Sequence, residues 1–293
     1  MPSEHRRVRH DGSPVMSNLG TAGAKRSSRH LLRANAWFVF AFLYVPIIVL
    51  VIFSFNDSER VNVWQGLSPR WYGEALGNTQ VVSALRVSLI VAVTSTVVST
   101  VLGTAVALAL DRYRFKGRRA LDGTVYLPIV IPDITMAVML LVFFAEAFKL
   151  IDVIGPRLTL GVTTIALSHI AFNISFVAVV VRARLDQFDR TLEEAARDLY
   201  ATPWRTFRRV TLPLIAPGIA AGALLALTLS LDDVVISAFT AGPGATTLPV
   251  YVFSSIRQGV TPELNAISTL MLAASITLVV ASLALQRPRS TTP

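Results

Sequence analysis

Long apolar stretches alternate with short charged ones along this chain. Residues 34–56, 87–110, 158–181, 211–231 and 264–286 contain no Asp, Glu, Lys or Arg. Each stretch has the ~20 residues a helix needs to cross a ~30 Å hydrocarbon layer. A sixth, 123–148, is apolar apart from Asp133 and Glu146. Lipid offers no partner to backbone N–H and C=O groups, so each crossing must be helical. The pattern predicts an all-α integral membrane protein with six transmembrane helices, at about 34–55, 85–110, 123–148, 159–181, 214–238 and 264–286.

Composition agrees. Of 293 residues, 53% are hydrophobic and 15% charged, and the mean hydropathy is +0.58. A soluble domain carries far more charge. The absence of cysteine removes disulfide and thiol chemistry. The net charge of +9 would suit nucleic acid in a soluble chain, but here the cations follow topology. With the N-terminus placed in the cytoplasm, only Arg60, Arg70, Arg86, Lys149, Arg157 and Arg257 of the 27 lysines and arginines lie outside. This positive-inside bias puts both termini in the cytoplasm. The partner of the basic excess is membrane lipid, with no role for nucleic acid.

Residues 1–33 are rich in Arg, Ser and Gly and read as a disordered basic cytoplasmic tail. The first apolar stretch is too long for a signal-peptide core and reads as a retained span. Residues 287–293 form a short cytoplasmic end. The remainder, 34–286, reads as one membrane domain.

Several spans are more than anchors. The second carries Thr94, Ser95, Thr96, Ser99, Thr100, Gly103 and Thr104, small residues that let helices approach closely. The third contains Pro128 and Pro132 just before Asp133, which should kink or break it. The fourth places His169 and Asn173 on one face, as interhelical polar contacts. In the loop 56–84, Trp64, Trp71 and Tyr72 suit a helix at the membrane interface.

The charged segment 186–213 is predicted to form two short helices around a turn. Thr191 and Glu194 fit a capping box. Tyr200-Ala201-Thr202-Pro203 forms the turn, with Thr202 as N-cap and Pro203 at the first helical position. The second helix covers 203–210, with Trp204, Phe207 and Val210 on one face and Arg205, Arg208 and Arg209 on the other. Leu212-Pro213 closes the loop at the membrane surface. Taken alone, the segment also fits an amphipathic helix lying on the inner leaflet.

Glu194-Ala195-Ala196, Arg197-Asp198-Leu199, Tyr200 and Leu212-Pro213 resemble, in order and spacing, the cytoplasmic coupling loop of ABC-importer permeases. The departure is Tyr200, where that family usually has Gly. Leu127-Pro128, Ile131-Pro132-Asp133, Leu167-Ser168-His169, Ser230-Leu231-Asp232-Asp233 and Gly242-Pro243-Gly244 are similar to the second permease subunit of spermidine/putrescine importers. The resemblance extends over about 35–285. It implies the type I ABC importer permease (MetI-like) fold and alternating access. It also implies a homologous second permease, an ABC ATPase dimer that binds ATP and Mg, and an extracytoplasmic solute-binding protein. The site residues implied for ATPase coupling are Glu194, Ala195, Ala196, Asp198, Tyr200, Arg205, Arg208, Arg209, Leu212 and Pro213.

Charged groups within spans are costly and usually functional. Asp232, Asp233 and Glu146 fall toward the outer ends of their spans, and Glu263 opens the last one. Such acids would concentrate a cationic cargo. Asp133 fits either this translocation path or a hydrogen-bond partner for the turn at Pro132. No Gly-x-x-x-x-Gly-Lys-Ser/Thr loop is present, so no nucleotide-binding P-loop is expected in this chain; no His-Glu-x-x-His or comparable ligand cluster and no catalytic pair is visible, so no cofactor or metal is expected either. Two alternatives remain: the same machine carrying another solute, and a stand-alone ion-coupled transporter using Asp133 or Glu146 as a proton relay.

Overall fold

The computed structural model describes residues 21–152 and 158–286. The described helices are α1 (Thr21–Phe53), α2 (Arg70–Gly77), α3 (Thr79–Arg112), α4 (Arg118–Val130), α5 (Asp133–Asp152), α6 (Val162–Leu185), α7 (Thr191–Asp198) and α8 (Pro203–Thr206). A π-turn (Phe207–Thr211), α9 (Leu212–Asp232), α10 (Val235–Thr240), α11 (Leu248–Gln258) and α12 (Pro262–Gln286) complete them. Six helical segments are long and apolar enough to cross a membrane. Met1–Leu50 and Val51–Pro293 form two compact units, and the packing below concerns the second.

The first helix begins at Thr21, upstream of the expected start near 34. Once a helix is nucleated, extending it is cheap, and no proline interrupts 21–33. The expected disordered tail, 1–33, is helical from Thr21; its first twenty residues and the end at 287–293 lie outside the described residues. The second span is longer than predicted because Asn78 caps it, its side chain accepting from Gln80 N at 3.0 Å.

Three helices, α3, α6 and α9, pack against one another as the centre of the second unit. Small residues make this possible. A Cβ on Gly103 would sit 2.7 Å from Val177 Cβ and 2.8 Å from the Ile174 carbonyl oxygen. On α9, Gly218, Gly222, Ala226 and Ser230 recur every fourth residue and are all buried. A Cβ on Gly222 would meet Val177 Cγ1 at 3.3 Å. In lipid, helix association depends on such close van der Waals approach.

Two spans are broken. The third is divided at Ile131-Pro132 into α4 and α5, as the two prolines predict. The fifth differs from expectation at both ends. It runs without interruption from Pro203, and it breaks at Asp233-Val234 before resuming as α10. Leu212-Pro213 therefore lies within a helix instead of closing a loop. Pro213 has no N–H for the Arg209 carbonyl, and the π-turn absorbs the misfit, with Leu212 N bonding to Phe207 O. The breaks lie close together, since α5 packs on α10. Trp71 points inward, its Nε1 donating to the Asn56 carbonyl at 2.8 Å, so it is a buried tether and not an interfacial anchor.

Gly103→Ala should force α3 and α6 apart and destabilise the protein by about 1–3 kcal/mol. The unfolding midpoint of the detergent-purified protein measures this. An unchanged midpoint would show that the contact with Val177 and Ile174 yields freely.

Candidate functional sites: a clamped loop and an acidic cavity

The loop 186–213 folds as two helices around a turn. Helix α7 starts at Thr191, as predicted, but not through the expected capping box. Arg190 already has helical dihedrals, and Asp189 accepts from Thr191 N at 2.9 Å. Backbone and side-chain hydrogen bonds from Thr191 hold the Asp189 carboxyl below the usual carboxylate range. At the other end, Tyr200 N donates to Arg197 O at 2.9 Å and Ala201 N to Ala196 O at 3.0 Å. This is a Schellman motif with Tyr200 at the left-handed position. Its φ is 60°, the one positive value outside glycine among the described residues. Tyr200 thus takes the conformation for which glycine is suited, and the residue is 94% exposed. Thr202 then caps α8, accepting from Arg205 N at 3.4 Å, with Pro203 at the first position.

Glu194, Ala195, Asp198, Arg205, Arg208, Arg209 and Pro213 are exposed, and Ala196 and Leu212 partly so. Among the described residues, none of these charged groups pairs with an opposite charge. Trp204 stacks on Phe207 with ring centroids 5.6 Å apart, and Leu199 and Trp204 are also exposed. The predicted coupling residues are therefore all exposed or partly exposed, and they mix apolar and charged groups.

What anchors the loop is Glu193, which sequence reasoning passed over. It is buried, accepting from the Arg112 guanidinium at the end of α3 and from the Thr211 hydroxyl in the π-turn. Arg112 Nη2 also reaches Thr211 Oγ1 at 3.4 Å. Burial pushes the Glu193 carboxyl up, but the hydrogen bonds from Thr211 and Arg112 and the Arg112 charge outweigh it and hold the group below 4.5. Arg190 adds a second tie, to Asp111 at 3.0 Å. The signal in sequence was an arginine and a threonine bordering two uncharged stretches, beside a second glutamate in α7.

The second site lies at the two helix breaks. Asp133, Asp232 and Asp233 line one cavity of about 400 Å³ together with Pro128, Met136, Phe172, Phe176 and Leu229. The two adjacent aspartates differ sharply. Asp233 is committed: Oδ1 accepts from Ile236 N at 3.2 Å, and Oδ2 from Ser237 N at 2.7 Å and faces His169 Nε2 at 3.3 Å. It caps α10 across the break. His169, fully buried, completes the link through Nδ1 to Ser230 Oγ at 2.6 Å, and Ser230 meets Ser95 at 3.1 Å. His169 is thus an interhelical contact, as expected. Its neighbour Asn173 is buried with no partner for either amide atom among the described residues. Asp232 and Asp133 are exposed to the cavity side and make no side-chain hydrogen bond among the described residues. The turn at Pro132 is closed by the backbone instead, with Thr135 N and Met136 N donating to Pro132 O. Asp133 is therefore not the turn's hydrogen-bond partner.

Glu146 is not part of this cavity. It lies 13 residues beyond Asp133 on the same helix, about 20 Å away at ~1.5 Å per residue, and pairs with Lys149 at 2.7 Å. Glu263 is also occupied, accepting from Asn78 Nδ2 at 2.9 Å.

Tyr200→Gly should relieve the left-handed strain and raise stability by about 1 kcal/mol; a lowered unfolding midpoint would mean that the Tyr200 ring makes a stabilising contact. Glu193→Gln should cost about 2 kcal/mol at neutral pH. Because the folded-state pKa is depressed, the Glu193 contribution is present above its ordinary value of 4.5 and lost as pH falls through the lower folded value. Unfolding midpoints of the two proteins should therefore converge in acid, and a gap independent of pH would contradict the ion pair.

The model of the family described as "Binding-protein-dependent transport system inner membrane component" matches residues 99–288. The putrescine transport system permease protein PotI of Escherichia coli (strain K12) is 48% identical over 80% of this chain and 83% of its own length. The spermidine/putrescine transport system permease protein PotC of the same strain is 40% identical, over 86% and 92%. A crystal structure of a bacterial ABC transporter that imports the acidic polysaccharide alginate contains a chain of the same fold. Its TM-score is 0.74 at 21% identity, covering 92% of this chain and 98% of that one. The match to the family model and to these relatives shows that the chain is a multi-pass membrane protein belonging to the inner membrane components of binding-protein-dependent transport systems.

Proposed function

We propose that this chain is a permease subunit of an ABC importer for polyamines, with Asp232 and Asp133 facing the cargo. The observation that carries the cargo assignment is the meeting of these two carboxylates with Phe172 and Phe176 in one cavity at the two helix breaks. Among the described residues, no cationic side chain lines that cavity. Carboxylates attract ammonium groups, and aromatic faces accept both a cation and the alkyl segment beside it. The names of the relatives PotI and PotC agree with that cargo.

In this reading both termini are cytoplasmic, and the loop carrying Glu194, Ala195, Ala196, Asp198, Tyr200, Arg205, Arg208, Arg209, Leu212 and Pro213 meets an ATPase dimer that binds ATP and Mg. The free arginines suit acidic groups on that partner. A homologous second permease completes the path, and an extracytoplasmic binding protein delivers solute. Movement of α7 reaches α3 and α9 through Glu193, because the same carboxylate holds Arg112 and Thr211. An ion-coupled transporter acting alone has less support, since Glu146 lies on the surface against Lys149.

Uptake of radiolabelled putrescine and spermidine in cells expressing the complete transporter tests the reading. Asp232→Asn should leave the protein assembled and raise the apparent KM about tenfold, the effect of losing one charge-assisted contact. Asp233→Asn should instead reduce the yield of folded protein, because that carboxylate caps α10. Unchanged uptake kinetics in Asp232→Asn would remove the acid from the path.

A further inference from the structure

The turn between α3 and α4 gathers cations that the rest of the fold leaves unused. Five basic residues fall between Arg112 and Arg119, and two have internal work. Arg112 is bound to Glu193, and Arg118 donates through Nε and Nη2 to the Leu110 carbonyl at 3.0 and 2.7 Å. The nearby acids are occupied as well: Asp111 by Arg190 and Asp122 by Arg182. Arg114, Lys116 and Arg119 are exposed and pair with no carboxylate among the described residues. Gly117, at φ 91°, bends the chain so that residues 114–119 line an open concavity of about 640 Å³.

Two further features point to the occupant. Tyr113 and Phe115 are 65% and 42% exposed and alternate with the free cations. The turn also sits where two membrane helices end, and the N-terminus of α4 adds a partial positive charge. Cations interleaved with exposed aromatics at the end of a span match the headgroup layer.

We propose that this turn binds the phosphodiester headgroup of an anionic phospholipid in the cytoplasmic leaflet, which rests on the orientation given above. Arg114, Lys116 and Arg119 hold the phosphate, and Tyr113 and Phe115 lie at the acyl boundary. The bound lipid fixes the cytoplasmic end of α3, and with it Arg112, the residue that holds the coupling loop.

The full-length chain, purified with its transporter complex in neutral detergent, can be examined by native mass spectrometry. The probes are phosphatidylglycerol, phosphatidylcholine and inorganic phosphate as competitor. The wild type should retain phosphatidylglycerol in preference to phosphatidylcholine. Arg114→Gln with Lys116→Gln and Arg119→Gln should lower that retention roughly ten- to a hundredfold. Arg114→Lys with Arg119→Lys should preserve it, and Arg119→Gln alone carries the comparison if the triple variant does not insert. Equal retention in wild type and neutralised variants overturns the proposal. Displacement of the lipid by inorganic phosphate would make this a free-anion site, and unchanged lipid retention with loss of the ATPase would assign the surface to the partner protein; either result also overturns it. Labelling of Lys116→Cys by an impermeant thiol reagent from the cytoplasmic side only separates failure of the orientation from failure of the lipid site.

Discussion

Every backbone N–H and C=O inside a membrane must find a partner within the protein, and this constraint orders the whole structure. Unbroken helices meet it without help. At the two breaks the protein meets it by specific means: Pro132 O accepts from Thr135 N and Met136 N, and Asp233 accepts from Ile236 N and Ser237 N. Irregular backbone at membrane depth is tolerated where it lines a cavity. Asp233-Val234 at one break and Pro128 and Asp133 flanking the other line the same one, and that cavity carries the two uncommitted aspartates.

Close helix contact holds the centre of the second unit together. Gly103 and Gly222 let α3 and α9 approach Val177 of α6 from two sides. The serine-histidine chain from Ser95 through Ser230 and His169 to Asp233 then joins the three-helix centre to the break in the fifth span. At the other end of these helices, Glu193 joins Arg112 and Thr211 to the loop 186–213. A displacement of α7 is thus connected by polar contacts at both ends of the α3–α9 pair, on the proposed route from ATPase to cargo.

Much of this was legible from residue order. Length and apolarity located the spans, the prolines at 128 and 132 located one break, and Tyr200 in place of glycine marked the turn that the structure forms with positive φ. Less legible were features set by three-dimensional partners. Nothing in the order of Glu193 and Glu194 says that the first is buried and the second exposed, because the difference is made by Arg112, about eighty residues away. The same holds for Asp232 and Asp233, whose roles part only when the helix breaks between Asp232 and Val234. The uninterrupted helix through Leu212-Pro213 was hidden because a proline ordinarily signals an end, and a π-turn overrides that signal.

The central claim is that the cavity at the two breaks is the cargo path, opened and closed through the coupling loop. The chain contains no cysteine, so a single Met136→Cys places one thiol in the cavity wall without removing an acid. The measurement is its rate of modification by a cationic thiol reagent in membranes holding the complete transporter. The account predicts that putrescine slows the reaction and that ATP changes the side from which the reagent gains access. A rate indifferent to both putrescine and nucleotide would contradict it.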